Sequence, residues 1–431
     1  MALENVQCTS EFLTLNGQAT IQKGTFKLNG DLAKVSQQIG QLIDLGEMEL
    51  AGILEGDFGW TMAQAPAGTS PLTLTNRPIQ IDGNFVVTNP VVQLPGMNRW
   101  NEKRLDVNLK ALGHSDAQGN VGIDQGVAQC KFGTETAIAK LNKPIANLLT
   151  NDNWQFACNV TGEIRNWMAQ TRNFVELPEF VAAGDMQSQF LFTMTPQNIR
   201  INQLQLDATN LDFEGFSMSM REPKVNANGN LTYDLETGRI DIGNVALTSS
   251  AIAAGGENLV VNIGDKILID GNVAFRANAN RASQWFGFSL PADSIQWNGD
   301  AEGAMAFTSE QNAFGGELST TVKQLVFYQK AEPNQAGAQG AFSELWREEN
   351  VVVKSKVFLA DDFNSVRLGG MQLNSKMADM QGHGTIGELA TTVQANLKGQ
   401  WNLNWDEITK LVQASAGDTV QFPETSGNHS K

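Results

Sequence analysis

Apolar and polar residues alternate along most of this chain, and that alternation predicts a succession of β-strands with one oily face. Residues 197–207 carry Ile199, Ile201, Leu204 and Leu206, and residues 213–220 put Phe216, Met218 and Met220 on one side. Leu231, Tyr233 and Leu235 alternate next, followed by Ile240, Ile242, Val245 and Leu247. Nearer the start, Leu105, Val107 and Leu109 do the same, as do Val121, Ile123 and Val127. Gly119-Asn120, Asn228-Gly229 and Thr237-Gly238 stand between such runs, with the residue types that suit tight hairpin turns.

At a few places the period lengthens to that of a helix. Leu32, Val35, Ile39, Leu42 and Ile43 share one helical face after a strand at 25–30. Ile164, Trp167, Phe174 and Val175 repeat the arrangement after a strand at 155–162. Trp405, Ile408, Leu411 and Val412 do so after a strand at 394–402, with Asn404 and Glu407 spaced as a capping box. Asp31 and Glu163 are expected in the first helical turn, where a carboxylate complements the backbone dipole. Gly46, Pro178 and Pro291 are expected to stop the helices.

These features recur. Residues 28–60 align without a gap on residues 160–192, so that Gly30 meets Gly162, Asp31 meets Glu163 and Ala51-Gly52 meets Ala183-Gly184. A third copy aligns Phe288 to Pro291 with Val175 to Pro178, and Gly299-Asp300 with Gly184-Asp185 after a two-residue insertion. In this copy Asn278 stands about where glycine is expected. In all three a glycine stands eight residues before an aromatic: Gly52 and Trp60, Gly184 and Phe192, Gly299 and Phe307. A fourth copy starts at Leu397. The expected division is 1–24 as the end of a preceding repeat, then repeats at 25–154, 155–271 and 272–393, a truncated start at 394–412 and a disordered tail at 413–431. Residues 331–341 are expected to be an inserted polar loop.

With 431 residues, the chain is longer than one compact core usually allows, which agrees with a repeating architecture. Only 18% of residues are charged, and the formal net charge is −16. That balance argues against a nucleic-acid role, which requires clustered Lys and Arg, and against adsorption to anionic headgroups through a basic patch. Cys8, Cys130 and Cys158 are far apart and odd in number, so they predict no disulfide framework and no metal site. No window is apolar enough for a transmembrane helix, and the start lacks the pattern of a signal peptide. A protein working outside the cytoplasm would therefore be represented here by an interior or C-terminal portion.

Candidate chemistry is sparse. His114, His383 and His429 lie apart, none with ligand spacing to a second donor, and the first two read as turn residues. The acidic pairs Glu348-Glu349, Asp361-Asp362 and Asp406-Glu407 read as solvated loops and a helix start, because sequence neighbours cannot face each other across a cleft. No phosphate loop, nucleophile elbow or metalloprotease signature is present. No cofactor, no metal and no enzymatic activity are expected. Two readings stay open for the recurring aromatics and the soft Met218–Met220 stripe. One is a core seam beneath the helices; the other is the lining of a lipid-holding trough.

The rhythm of LNGDLAKV (28–35), VTGEIRNW (160–167) and LKGQWNLNWDEITKLV (397–412) resembles that of AsmA-like and TamB-like bacterial envelope proteins. The resemblance implies a long antiparallel sheet curled into a groove, apolar inside and polar outside. It implies a periplasmic location, an inner-membrane anchor outside this chain, and phospholipid acyl chains as the partner. The groove candidates are Trp60, Phe192, Ile199, Ile201, Leu204, Leu206, Phe216, Met218, Met220 and Phe307. The alternative is a structural or adhesive β-repeat whose apolar faces close into a dry core. A carbohydrate-active β-helix is weaker, for want of clustered acids.

Overall fold

The computed structural model describes residues 2–40, 48–64, 77–93, 98–115, 120–173, 180–215, 218–263, 267–285, 295–310, 313–330, 342–360, 364–387 and 394–409. They form one long antiparallel sheet of 22 strands that does not close on itself. The chain divides into two units: Met1–Leu211 with Asn226–Thr237, and Asp212–Val225 with Gly238–Lys431.

The first unit begins with β1 (Ala2–Thr9), β2 (Leu13–Thr20) and β3 (Lys23–Asp31), followed by helix α1 (Leu32–Gly40). Next come β4 (Glu49–Met62), β5 (Ile79–Gln93), the short β6 (Trp100–Asn101) and β7 (Arg104–Ser115). Then follow β8 (Val121–Phe132), β9 (Glu135–Leu141), β10 (Trp154–Glu163), helix α2 (Ile164–Thr171) and β11 (Phe180–Met194). Each strand pairs with its predecessor, except that β7 passes β6 to pair with β5. β12 (Asn198–Gly215) and β13 (Met218–Asp234) each contribute part of their length to both units. The second unit continues through β14 (Arg239–Ser249), β15 (Ile252–Ile263), β16 (Ile267–Asn278), helix α3 (Ala279–Trp285) and β17 (Ile295–Glu310). It ends with β18 (Ala313–Lys330), β19 (Phe342–Ala360), β20 (Ser365–Asn374), β21 (Ala378–Gly387) and β22 (Gln394–Leu403), and residues 405–409 are helical. From β14 to β22 every strand pairs with the next.

Each of α1, α2 and α3 sits inside a hairpin, between two strands that pair with each other. The register is the same in all three: Asp31 pairs with Ile53, Glu163 with Asp185 and Asn278 with Asp300, a separation of 22 residues each time. The third hairpin therefore needs no insertion between helix start and glycine, contrary to the sequence alignment. Asp31 and Glu163 precede the helices instead of lying in their first turns, and Asn278 takes the same place. The Asp31 carboxylate accepts the N–H groups of Ala33 and Lys34 at 3.1 and 3.3 Å, and Asn278 Oδ1 accepts that of Arg281 at 3.0 Å. A helix must satisfy its first N–H groups from outside, which selects Asp and Asn here. The expected helix stops Gly46, Pro178 and Pro291 lie outside the described residues, as do Leu42, Ile43, Phe174, Val175, the 331–341 loop and the tail from 413.

Where the glycine of each hairpin stands, the neighbouring strand bulges. Gly52 faces Asn89-Pro90 and Gly299 faces Gln324-Leu325, one residue against two. Asn89 and Gln324 adopt φ of 50° and 49°, and Asn210, whose carbonyl lies 2.8 Å from where a Gly184 Cβ would be, has φ of 52°. The extra residue bends and twists the strand, and the crowded carbonyl leaves room for no side chain opposite.

Some local signals yield to long-range pairing. Asn228-Gly229 is interior to β13 and makes no turn, whereas Gly238 does turn, with φ of 70°. The run 213–220 is no single strand: β12 ends at Gly215 and β13 starts at Met218, so Phe213 lies on a different strand from Met218 and Met220. His383 lies within β21, paired with Lys398, and His114 lies in β7, both contrary to the turns expected. Glu348 is in β19 and fully buried, not in a solvated loop.

Candidate functional site

Paired residues in an antiparallel sheet point to the same face, so registers can be followed from strand to strand as lanes. In the first unit one lane reads Val6, Gly17, Phe26, Phe58, Gly83, Leu109, Ala128, Ala139, Cys158 and Phe190. It crosses ten strands without a polar side chain. At about 4.8 Å per strand, it runs roughly 43 Å along the sheet. In the second unit a lane reads Leu247, Ala254, Phe275, Gly303, Thr320, Val353, Leu373, Met380 and Trp401, with Thr320 its one polar member. The opposite face carries the charges, among them the ion pairs Glu302–Lys323 and Glu317–Lys356. Exposed pairs of this kind add little stability, so the segregation of faces is their main consequence.

The apolar face is only partly covered. Ile81, Leu109 and Leu247 are 42%, 38% and 36% exposed, more than packing within a sealed core permits. Its aromatic rings lie over glycines on the adjacent strand. A Cβ on Gly24 would collide with the Trp60 ring, and one on Gly17 would lie 2.6 Å from Phe26. A Cβ on Gly56 would lie 2.6 Å from Phe85. Phe26 in turn stacks on Phe58 and Trp60, with centroids 5.3 and 5.6 Å apart and planes within 18° and 17°. Glycine thus lets a large ring lie flat, and the face is smooth where standing side chains would make it rough.

Trp60, Phe192 and Phe307 hold equivalent places: they pair with Gly24, Phe156 and Gly271, each seven residues before a helix cap. All three are half-buried. Ile199, Ile201, Leu204 and Leu206 are half-buried in β12, where a bulge at Gln203 (φ 53°) shifts the alternation by one and returns Leu204 and Leu206 to the face of Ile199 and Ile201. Asn230 Oδ1 accepts the Gln203 N–H at 2.7 Å there. Met218 and Met220 are half-buried in β13; Phe216 lies outside the described residues. Trp60, Phe192 and the β12 residues belong to the first unit, and Met218, Met220 and Phe307 to the second.

Sequence reasoning missed three buried glutamates. Glu348 accepts the N–H groups of Lys376 and Met377 at 3.2 and 3.1 Å, and Glu222 accepts the N–H of Ser250 at 3.0 Å. Glutamate and turn stand at the same spacing in both cases, which was the available signal. The turns are then fixed to the helix starts, since Asn278 N–H bonds to Ala251 O at 2.9 Å and Asn404 N–H to Met377 O at 2.8 Å. Glu135 accepts from Thr134 and from Asn166 of α2. Burial pushes its carboxyl up, and the hydrogen bonds from Asn166 and Thr134 outweigh this and hold it below the usual range. These carboxylates are structural: each is itself buried and finds its hydrogen-bond donors in a neighbouring turn or helix.

Other reactive groups are dispersed. Burial raises the thiols of Cys130 and Cys158, which lowers their reactivity. His114 Nδ1 lies 2.9 Å from Asp124 Oδ2 at the end of β7, a lone pair of partners. Among the described residues no cluster of three His, Cys, Asp or Glu could hold a metal ion. No protein-family model, curated protein or solved structure matches this chain.

Proposed function

We propose that this chain is a non-enzymatic, lipid-holding segment of a bacterial envelope protein of the AsmA-like or TamB-like kind. In this reading the sheet curls into a groove, built from helix-opened repeats, in the periplasm. An inner-membrane anchor outside this sequence tethers it, and phospholipid acyl chains lie along the apolar lanes on their way between membranes. The observation that carries the reading is the pair of apolar lanes, broken at Thr320 alone, on whose face large side chains stay about 40% exposed, such as Ile81, Leu109 and Leu247. A dry-core adhesive repeat would bury those residues.

The energetics suit transport. Burying a CH₂ on all sides gains about 0.8 kcal/mol, so a chain lying on one face gains roughly half that, and sixteen carbons gain on the order of 6 kcal/mol. Because glycine, alanine and flat rings make the lanes nearly uniform, moving by one strand exchanges like contacts for like. A chain can be held without being trapped.

Mass spectrometry of organic extracts from purified protein tests this, together with uptake of a fluorescent acyl probe. Co-purifying phospholipid and saturable probe uptake are expected. Lipid-free protein that also ignores the probe would end the proposal.

A further inference from the structure

A net charge of −16 gives no hint of it, yet the sheet gathers cations at one place on the polar face of the second unit. Lys356 pairs with Gly369, and His383 pairs with Lys398. Between these pairs β20 bulges: Leu368 meets Gly384 and Met371 meets Gly382, so Gly369 and Gly370 together face His383 alone. Lys356, Gly369, His383 and Lys398 therefore follow one another in a lane across β19 to β22, and the three side chains are exposed. Arg367 stands on the same face two residues before Gly369, with its guanidinium over the Phe358 ring at 4.6 Å from the centroid. Gln372, paired with Lys354, stands beyond the bulge on the other side.

The centre of this arrangement is bare. Gly370 turns to φ of 63°, and a Cβ on it would meet nothing within 4 Å. A Cβ on Gly369 would make only ordinary contact with Lys356, at 3.5 Å. The glycine pair thus leaves a dimple in the polar face, ringed by Lys356, Arg367 and His383. Among the described residues of β20, β21 and β22 the one acid is Asp379, four positions along β21 from His383. Glu317 reaches Lys356 from β18 at 2.8 Å, but the two side chains are 67% and 60% exposed. Water screens such a pair, so the ammonium can be shared with an anion on its other side.

We infer that the Gly369–Gly370 dimple is a binding site for the phosphate group of a small soluble ligand, inorganic phosphate or a phosphate monoester. Phosphate offers acceptor oxygens in several directions at once, which suits donors arriving from three strands, and a guanidinium takes two of them together. The rest of the chain selects for small size. A polyanion or an anionic bilayer must approach a wide, negatively charged surface, whereas a single phosphate responds to the charges within about 8 Å at physiological salt. The dimple lies on the face opposite Val357, Leu368, Gly384 and Leu397, so this inference does not depend on lipid binding.

Isothermal titration of inorganic phosphate into the full chain should show saturable binding at one site. Lys356→Ala and Arg367→Ala should each weaken it roughly tenfold, the loss of one charge-assisted hydrogen bond. Gly369→Leu keeps every charge but fills the dimple, and should abolish binding. Lys323→Ala, which removes a cation elsewhere on the same face, should leave it unchanged. Because Lys356 and Arg367 are exposed, their variants keep the test independent of how Gly369→Leu folds. Absence of saturable uptake overturns the inference. So does full binding by folded Gly369→Leu, since the charges would then hold the anion at no fixed place. Adsorption to phosphatidylglycerol vesicles that Lys356→Ala and Arg367→Ala abolish would overturn it too, because the patch would then be a membrane contact.

Discussion

Replacing Glu348 by alanine should loosen one specific corner of the second unit. The carboxylate is fully buried and accepts two backbone N–H groups, from Lys376 at 3.2 Å and Met377 at 3.1 Å. A buried donor left without its acceptor costs about 1–3 kcal/mol. Met377 is half-buried and bears that cost, whereas exposed Lys376 can turn to water, so the loss should total roughly 2–3 kcal/mol. Native-state hydrogen exchange at residues 375–378 and 404 is the suitable assay, because a long strand array need not unfold in one step. A loss of 2 kcal/mol appears as about a thirtyfold fall in protection, at 1.4 kcal/mol per factor of ten. Asn404 should share it, since its N–H is held by the Met377 carbonyl at 2.8 Å. Glu348→Gln keeps one acceptor and should cost less than half as much, while exposed Glu349→Ala should change protection less than threefold. If Glu348→Ala behaves like Glu349→Ala, the carboxylate does not hold the turn and the structural account of these glutamates is wrong.

Four further outcomes follow from the same geometry. Leu109→Glu, at a 38% exposed place in the first lane, should leave thermal unfolding nearly unchanged yet cut acyl-probe uptake at least tenfold, because a carboxylate under an acyl chain must give up its hydration or its charge; unchanged uptake would count against a lipid on that face. Gly303→Val should destabilise by about 2 kcal/mol or more in denaturant titration, since its Cβ would lie 2.5 Å from the Ser319 carbonyl as well as against Phe275. Asp31→Ala should cost about 1 kcal/mol of helix stability, read as faster exchange across 32–40, with Asp31→Asn close to wild type. Glu135 is held below the usual carboxylate range when folded, so its contribution is present above the ordinary glutamate pKa and fades as pH falls through the lower folded value. Acid titration followed at α2 should show this loss, and Asn166→Ala should move it to higher pH.

Sequence alone determined the periods, and with them the element types. Alternation marked the strands, the change of spacing at Leu32 and Ile164 marked the helices, and the glycine-to-aromatic spacing picked out Trp60, Phe192 and Phe307 as equivalent. Such features are local, because a side chain two residues on falls on the same strand face whatever lies alongside. Register and reversal are not local. The pairing of long neighbours carried β13 through Asn228-Gly229, divided Phe213 from Met218, and set the bulges at Asn89, Gln203 and Gln324 that restore the face after a slip. Burial of Glu348 was equally out of reach. Its acceptors' partners come from a turn 28 residues onward, brought beside it only when β19, β20 and β21 lie in register. The lanes themselves join residues from ten strands in the first unit and nine in the second, so each strand could declare its oily side, but only the assembled sheet could line those sides up into a path.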